Sequence, residues 1–208
     1  MKAFTFKHAN VPWPAGITLL HVYVVADLAR NPELAELVAS SRAALDGMPL
    51  THLGDDWLHV TLCQIRTPAD QVDDAGRKAI AREVGVRLAG LKPFRVSVGS
   101  PFGVPTGVLF EIAEGAGALD DVRRKVAAGV AAACGLDAVN GHTSSLHMSE
   151  SYARADADDE EIARRLAPLR DTYAPLPVDR VELVDVTIRQ EDKAVSWTPV
   201  AAMGLGAG

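Results

Sequence analysis

Two short stretches of the chain carry the same arrangement of chemically reactive residues. Residues 58–61 read Leu-His-Val-Thr and residues 146–149 read Leu-His-Met-Ser, so that the two histidines are 88 residues apart (59 to 147). In a β-strand, residues i and i+2 point to the same face, and each histidine therefore shares a face with the hydroxyl two positions later. The pattern predicts two strands that each present an imidazole and a hydroxyl to one cleft.

Two imidazoles with two hydroxyls suit phosphoester chemistry that uses no metal ion. One imidazole can accept a proton from water or a hydroxyl while the other donates one to the leaving oxygen, because histidine titrates near neutral pH. Hydroxyls can donate to non-bridging phosphate oxygens, and an imidazolium stabilises charge that builds in the transition state. We therefore expect His59 and His147 to be catalytic, Thr61 and Ser149 to bind phosphate, and no metal or cofactor to be needed.

A second register of the later motif is also present in the sequence. His142, Thr143 and Ser144 form another His-x-Ser. The residues around His142 show no apolar alternation, which a half-buried strand requires, and the spacing to the first motif differs from that of the neighbouring helices. The alternation favours His147 over His142.

The motifs lie within a repeated order of predicted elements. Each half of the chain reads strand, helix, strand, helix, strand, from apolar alternation and helical spacing, and one further strand follows at the end. The order predicts one compact α+β domain over residues 1–208, with two pseudo-equivalent lobes at approximately 1–100 and 101–208. The predicted strands are 17–26, 57–65, 94–98, 107–113, 145–152, 178–189 and 194–203, and the helices are 32–47, 70–91, 119–133 and 158–169.

At these residues the sequence resembles the 2H phosphoesterase superfamily, and within it the 2′-5′ RNA ligase / cyclic phosphodiesterase family. That family has two His-x-Thr/Ser motifs, one in each lobe. The resemblance covers nearly the whole chain, from the strand at residues 20–26, through residues 147–157, to the closing hairpin with Trp197. It implies a duplicated two-lobe fold of antiparallel sheets with helices outside and a central cleft. One departure is Glu150, where the family usually has an apolar residue.

The resemblance also implies roles for the motif residues. His59 and His147 would be the acid–base pair, and Thr61 and Ser149 would bind phosphate. The implied reaction is hydrolysis of 2′,3′-cyclic phosphate ends or related phosphodiesters without a metal ion. Neither the residues nor the resemblance decides which histidine is the base.

Several other residues could contribute to a cleft or simply fill the core. Tyr152 and Trp197 could contact a substrate base by stacking, although core packing is the favoured interpretation of Trp197. His21 and Tyr23 share one face of the first strand and could line the cleft. Simple alternation places Cys63 on the same face as the first motif, where we interpret it as an inert buried thiol.

Composition narrows the class of protein further. The chain has 208 residues, of which 48% are hydrophobic and 23% charged, as in ordinary globular domains. Its net charge of −6 argues against holding nucleic acid by bulk charge. The longest apolar run, residues 17–26, is too short to span a bilayer, and Pro12 and Pro14 before it make a poor signal peptide. We predict a cytoplasmic monomer that does not bind membranes.

Three classes of function are compatible with these features. The first is a metal-independent phosphoesterase acting on 2′,3′-cyclic or 2′-5′ linkages of RNA ends or small cyclic nucleotides, with a 2′-5′ RNA ligase as its reverse reaction. The second is a non-catalytic nucleotide- or RNA-binding module, and the third is a hydrolase with histidine-bound metal. The sequence has no Walker A motif, no Gly-x-Gly-x-x-Gly after a strand and no Gly-x-Ser-x-Gly, which argues against an NTPase, a dehydrogenase and an α/β-hydrolase.

Overall fold

The computed structural model describes residues 1–8, 11–140 and 145–206. Its regular elements are twelve strands and four α-helices, with short 3₁₀ turns between them. The strands are β1 Lys7–His8, β2 Val11–Pro12, β3 Leu19–Val25, β4 Leu50–His52, β5 His59–Pro68, β6 Phe94–Val104, β7 Gly107–Ile112, β8 Val139–Asn140, β9 His147–Ala153, β10 Tyr173–Val178, β11 Arg180–Arg189 and β12 Ala194–Gly204. The helices are α1 Pro32–Ala44, α2 Asp74–Leu88, α3 Ala116–Cys134 and α4 Asp159–Leu166.

Ten of the strands form one antiparallel sheet, and β1 and β2 form a separate small hairpin. The order across the sheet is β10-β6-β7-β9-β5-β3-β11-β12, with β4 added to β9 and β8 added to β5. Helices α2 and α3 contact the half of the sheet that contains β5 and β12, whereas α1 and α4 contact the half that contains β6 and β10. This arrangement confirms the predicted α+β class.

The sheet mixes strands from the two halves of the chain. Strands β11 and β12, from the end of the chain, pair beside β3 and β5, while β6, from the first half, pairs with β7 and β10. Helix α3 likewise packs on β5. Consequently, neither half of the sheet is built from residues 1–100 or from residues 101–208 alone.

Strands β5 and β9, which carry the two motifs, meet at the centre of the sheet. They pair antiparallel, with Val60 opposite Met148. Beyond this contact, β8 pairs with β5 and β4 pairs with β9. The two motif strands are therefore in contact at the motifs themselves.

Each motif strand also contains a bulge directly after its motif. Along β5, Thr61 and Cys63 pair with successive residues of β3, which leaves Leu62 as the extra residue. Along β9, Ser149 and Ser151 pair with successive residues of β7, which leaves Glu150 as the extra residue. A bulge interrupts strict alternation, so residues beyond it change face relative to a regular strand. Leu62 and Glu150 have the same 88-residue separation as the two histidines.

The helix termini differ from the sequence expectation in detail. Helix α1 begins at Pro32 as predicted. Asparagine before a helix can cap it, but the Asn31 side chain donates instead to the carbonyl of Asp27 at 2.6 Å. Helix α2 begins at Asp74, later than predicted, because Asp73 accepts a hydrogen bond from the amide of Gly76 and so caps the helix there.

Periodicity alone does not predict β10, a strand of six residues with the sequence YAPLPV. Proline cannot donate to a ladder and is usually confined to edge strands. Strand β10 occupies the edge of the sheet and pairs only with β6 in the strand order, so its prolines are tolerated there. Among the described residues, no helix is both long and apolar enough to cross a membrane.

Candidate active site

The pairing of β5 with β9 brings the two motifs together on one face. Because Val60 faces Met148 in an antiparallel pair, continuing that register places residue 59 across from 149 and residue 61 across from 147. All four motif side chains, His59, Thr61, His147 and Ser149, line one cavity of about 260 Å³.

Both imidazoles are oriented by the same kind of hydrogen bond. The Nδ1 of His59 donates to the carbonyl of Trp57 at 2.8 Å, and the Nδ1 of His147 donates to the carbonyl of Ser145 at 2.9 Å. A carbonyl oxygen can only accept, so Nδ1 must carry the hydrogen in both rings. In each neutral ring Nε2 is therefore the basic nitrogen that can accept a proton.

His59 is the more deeply buried of the two histidines, with 6% of its surface exposed. The Tyr23 ring stacks on it at a centroid distance of 3.9 Å, and Trp197 packs against it edge-on at 5.1 Å. Burial lowers the pKa of His59 to about 4; the hydrogen bond to Trp57 raises it somewhat, and the charge of His147 lowers it further. At neutral pH, His59 is thus the neutral form that can accept a proton.

Each motif hydroxyl lies beside a tyrosine hydroxyl, Thr61 beside Tyr23 and Ser149 beside Tyr152. Burial raises the pKa of both tyrosines, well above the ordinary range for Tyr23, and hydrogen bonding with the neighbouring hydroxyl opposes the shift. Both phenols therefore keep their hydrogen at neutral pH and can act as donors.

The bulge in β5 changes which side chain follows the first motif into the cavity. Gln64 lines the cavity, whereas Cys63 is buried in the hydrophobic core. The prediction that Cys63 shares the motif face was wrong because alternation is interrupted at Leu62. Burial raises the pKa of the Cys63 thiol to about 12, in keeping with an inert thiol. Gln64 accepts a hydrogen bond from Asn140 at 2.8 Å.

Glu150 does not enter the cavity. Its side chain is completely buried, and Oε1 lies 2.6 Å from Nδ1 of His52 on β4. Among the described residues its Oε2 has no hydrogen-bond partner. The carboxylate thus lies behind the second motif, paired to a histidine, while Ser149 before it lines the cavity.

The structure places the two weaker candidates differently. Tyr152 lines the cavity, but Phe4 stacks on its ring at 4.4 Å. Trp197 is buried behind His59 and Tyr23 and is not part of the cavity lining. The alternative motif at 142–144 lies outside the described residues.

The amino-terminal segment contributes a wall that sequence reasoning did not foresee. Phe4, Phe6, Lys7 and Trp13 all line the cavity. Their positions depend on long-range contacts, such as the amide of Phe6 donating to the Gln190 side chain at 2.9 Å. No local pattern in the sequence signals such contacts. Within the described ranges, no group of three or more His, Cys, Asp and Glu side chains is arranged to hold a metal ion.

Comparison with known proteins gives the class of the chain. A model of the 2′-5′ RNA ligase superfamily matches residues 51–187, which is more than half of the sequence and includes both motifs. The chain belongs to the 2′-5′ RNA ligase superfamily. No curated protein matches it.

Solved structures show the same fold at low sequence identity. E. coli LigT complexed with NADP⁺ is 14% identical, with a TM-score of 0.67, and the match covers 91% of this chain and 99% of LigT. TT0787 of Thermus thermophilus is 20% identical, with a TM-score of 0.63, covering 90% and 98% of the two chains. ATU0111 of Agrobacterium tumefaciens is 14% identical, with a TM-score of 0.54, covering 94% and 90%.

Proposed function

We propose that the protein is a metal-independent phosphoesterase that hydrolyses 2′,3′-cyclic phosphate or 2′-5′ phosphodiester bonds of RNA ends or small nucleotides. The observation that carries this proposal is the cavity at the β5–β9 contact. Two imidazoles, each with Nδ1 bonded to a carbonyl, line it together with two hydroxyls. The LigT structures complexed with 3′-AMP and with phosphate support a nucleotide phosphate as the ligand class.

The proposed reaction uses the two imidazoles in complementary proton states. Nε2 of one histidine takes a proton from a water molecule as the water oxygen bonds to phosphorus. The other histidine gives its Nε2 proton to the 2′ or 3′ oxygen as its bond to phosphorus breaks, so one proton is taken up and one released. His59 is neutral at neutral pH and suits the accepting role in this direction.

The two hydroxyls would hold the phosphate during this exchange. Donation from Thr61 and Ser149 to non-bridging oxygens stabilises the negative charge that grows in the transition state. A bound phosphate anion would also raise the pKa of a nearby imidazole, because opposite charges favour the protonated ring. Binding would thus help the donating histidine to hold its proton until the leaving oxygen needs it.

Turnover of a nucleoside 2′,3′-cyclic phosphate in the presence of EDTA tests the proposal. We expect chelator-resistant activity in the wild type and a loss of roughly 10²–10⁴-fold in both His59→Ala and His147→Ala. His8→Asn is the matched control, because His8 is a buried histidine outside the cavity lining and its replacement should leave turnover unchanged. Full activity in either catalytic variant would refute the mechanism, and activity abolished by EDTA would support a metal-dependent reaction.

Ligation is a second candidate, favoured by membership of a superfamily named for it. The same groups would act in reverse, with the roles of acid and base exchanged. Incubating cleaved RNA halves that carry 2′,3′-cyclic phosphate and 5′-hydroxyl ends, at high concentration, distinguishes the two candidates. Joined RNA with a 2′-5′ linkage would support ligation, whereas opened cyclic ends would support hydrolysis. Phosphate binding without either product would identify a binding module.

A further inference from the structure

Tyr23 contacts both residues of the first motif. It lies directly opposite Thr61 in the pairing of β3 with β5, which places the two hydroxyls within reach of each other. Its ring stacks on His59 with an interplanar angle of 26°. On the other side, Nδ1 of His21 lies 2.6 Å from the Tyr23 hydroxyl. The three side chains form a row, from His21 through Tyr23 to Thr61, along which hydrogen bonds can run.

The direction of the hydrogens along this row decides what Thr61 can do. A tyrosine hydroxyl has one hydrogen to give, and a threonine hydroxyl also has one. If Thr61 donates to Tyr23, its only hydrogen is used there and cannot be given to a ligand. If Tyr23 donates to Thr61, the Thr61 hydrogen is free to point to a ligand, and His21 then donates from Nδ1 to the Tyr23 oxygen.

An anionic ligand selects the second direction. Phosphate oxygens that carry negative charge are acceptors, so they favour the arrangement in which Thr61 donates into the cavity. Donors that point one after another along a hydrogen-bonded row also polarise each other and strengthen the last bond. The same relation holds between Tyr152 and Ser149 in the second motif.

We propose that Tyr23 is a positioning residue, which, backed by His21, donates to the Thr61 hydroxyl and directs the Thr61 hydrogen at the phosphate group of the ligand. This inference rests on the proposed function, because it assigns Thr61 a phosphate to bind. Tyr23 also lines the cavity, but the proposal gives it no direct part in the reaction. Its effect passes through Thr61, and its ring separately packs against His59.

A double-mutant cycle between Tyr23 and Thr61 tests the proposal. Tyr23→Phe keeps the ring and removes the hydroxyl, and Thr61→Val keeps the shape and removes the donor. We expect kcat/KM for a nucleoside 2′,3′-cyclic phosphate to fall about threefold to tenfold in Tyr23→Phe and roughly tenfold to a hundredfold in Thr61→Val. The double variant should be no worse than Thr61→Val alone, because Tyr23 acts only through Thr61. A Tyr23→Phe enzyme within twofold of the wild type, or losses that multiply in the double variant, would overturn the proposal.

Two further measurements separate positioning from a structural role. The acid limb of the pH–rate profile should not move in Tyr23→Phe, because the ring that packs on His59 is retained. Thermal melting should show that Tyr23→Phe remains folded. Tyr173→Phe is the control, since Tyr173 lies on the edge strand β10, outside the cavity lining, and should keep wild-type activity.

Titration with inorganic phosphate distinguishes failure of this inference from failure of the proposed function. If the wild type binds phosphate but hydrolyses no phosphodiester, the proposed reaction is refuted. The double-mutant cycle between Tyr23 and Thr61 is then measured with the dissociation constants for phosphate. We then expect Tyr23→Phe to weaken phosphate binding about threefold to tenfold, with no additional loss in the Thr61→Val background. Unchanged affinity in Tyr23→Phe, or no phosphate affinity in the wild type, would refute the positioning role.

Discussion

Replacing His59 with asparagine should remove a pH-dependent part of the protein's stability. Burial holds the pKa of His59 at about 4 in the folded protein, against 6.5 for an ordinary histidine. Each pKa unit corresponds to about 1.4 kcal/mol, so the difference amounts to about 3 kcal/mol in the free energy of unfolding. Because His59 is almost fully buried, little of this effect is screened by solvent.

The sign follows from which state binds more protons. Between pH 6.5 and pH 4 the unfolded chain protonates this histidine while the folded protein keeps it neutral, so unfolding takes up a proton. The stabilisation is therefore complete above pH 6.5 and is lost progressively as the pH falls through 4. Folding stability should decline with acid more steeply in the wild type than in a variant without this titration.

Urea unfolding at several pH values between 4 and 7 measures this contribution. In His59→Asn the side-chain amide does not titrate and can still donate to the carbonyl of Trp57. The wild type should lose about 3 kcal/mol more than this variant between pH 7 and pH 4. His8, whose pKa is also lowered by burial, is present in both proteins and cancels in the difference. Thr61→Val, in the same cavity, is the control that should keep the wild-type slope. Equal slopes for His59→Asn and the wild type would refute the reasoning.

Three further predictions concern the pKa of His59, the pair formed by His52 and Glu150, and the packing of α3 on α2. If His59 is the base in the free enzyme, a pH–rate profile should show kcat/KM constant down to about pH 4 and falling below it. An acid limb near pH 6.5 would contradict the role of His59 as the base. His52→Ala should lower the free energy of unfolding by about 3 kcal/mol, because it leaves the buried Glu150 side chain without its partner. Glu150→Gln should lower it by less, and urea unfolding of both variants at pH 7 makes the comparison. Gly129→Ala on α3 should lower the free energy of unfolding by about 1–3 kcal/mol, because the new Cβ would lie 2.8 Å from the backbone of α2. Gly117→Ala is the control and should not destabilise, because its Cβ would meet nothing within 4 Å. Equal melting temperatures for the two variants would contradict this prediction.

The motif strands could be predicted from sequence because their apolar and polar residues alternate up to the bulges. Val60 and Met148 are apolar residues between polar ones, and both are fully buried at the strand contact. Alternation alone cannot reveal a bulge, because the extra residue is defined by pairing with a neighbouring strand. That is why alternation wrongly predicts Cys63 on the face of the first motif and does not reveal Gln64 there.

Contacts between distant parts of the chain were beyond local patterns for the same reason. Phe4 and Phe6 line the cavity and are held there by hydrogen bonds to segments more than a hundred residues away. Strand β11 pairs with β3 on one side and with β12 on the other, and periodicity along the sequence does not show this pairing. Repeat order in the sequence therefore predicts duplicated elements but not which of them lie side by side.

The two motif strands have similar local geometry but different surroundings, and the proposed chemistry depends on both features. Each strand has a histidine that donates to a backbone carbonyl and a bulge three residues after that histidine. The packing around them is unlike: Tyr23 and Trp197 enclose His59, while His147 is only half-buried. Proton transfer by a pair of imidazoles needs one ring that starts neutral and another that can hold a proton. In the proposed reaction the symmetric backbone therefore sets where the two imidazoles stand, and the unequal burial makes His59 the one that starts neutral.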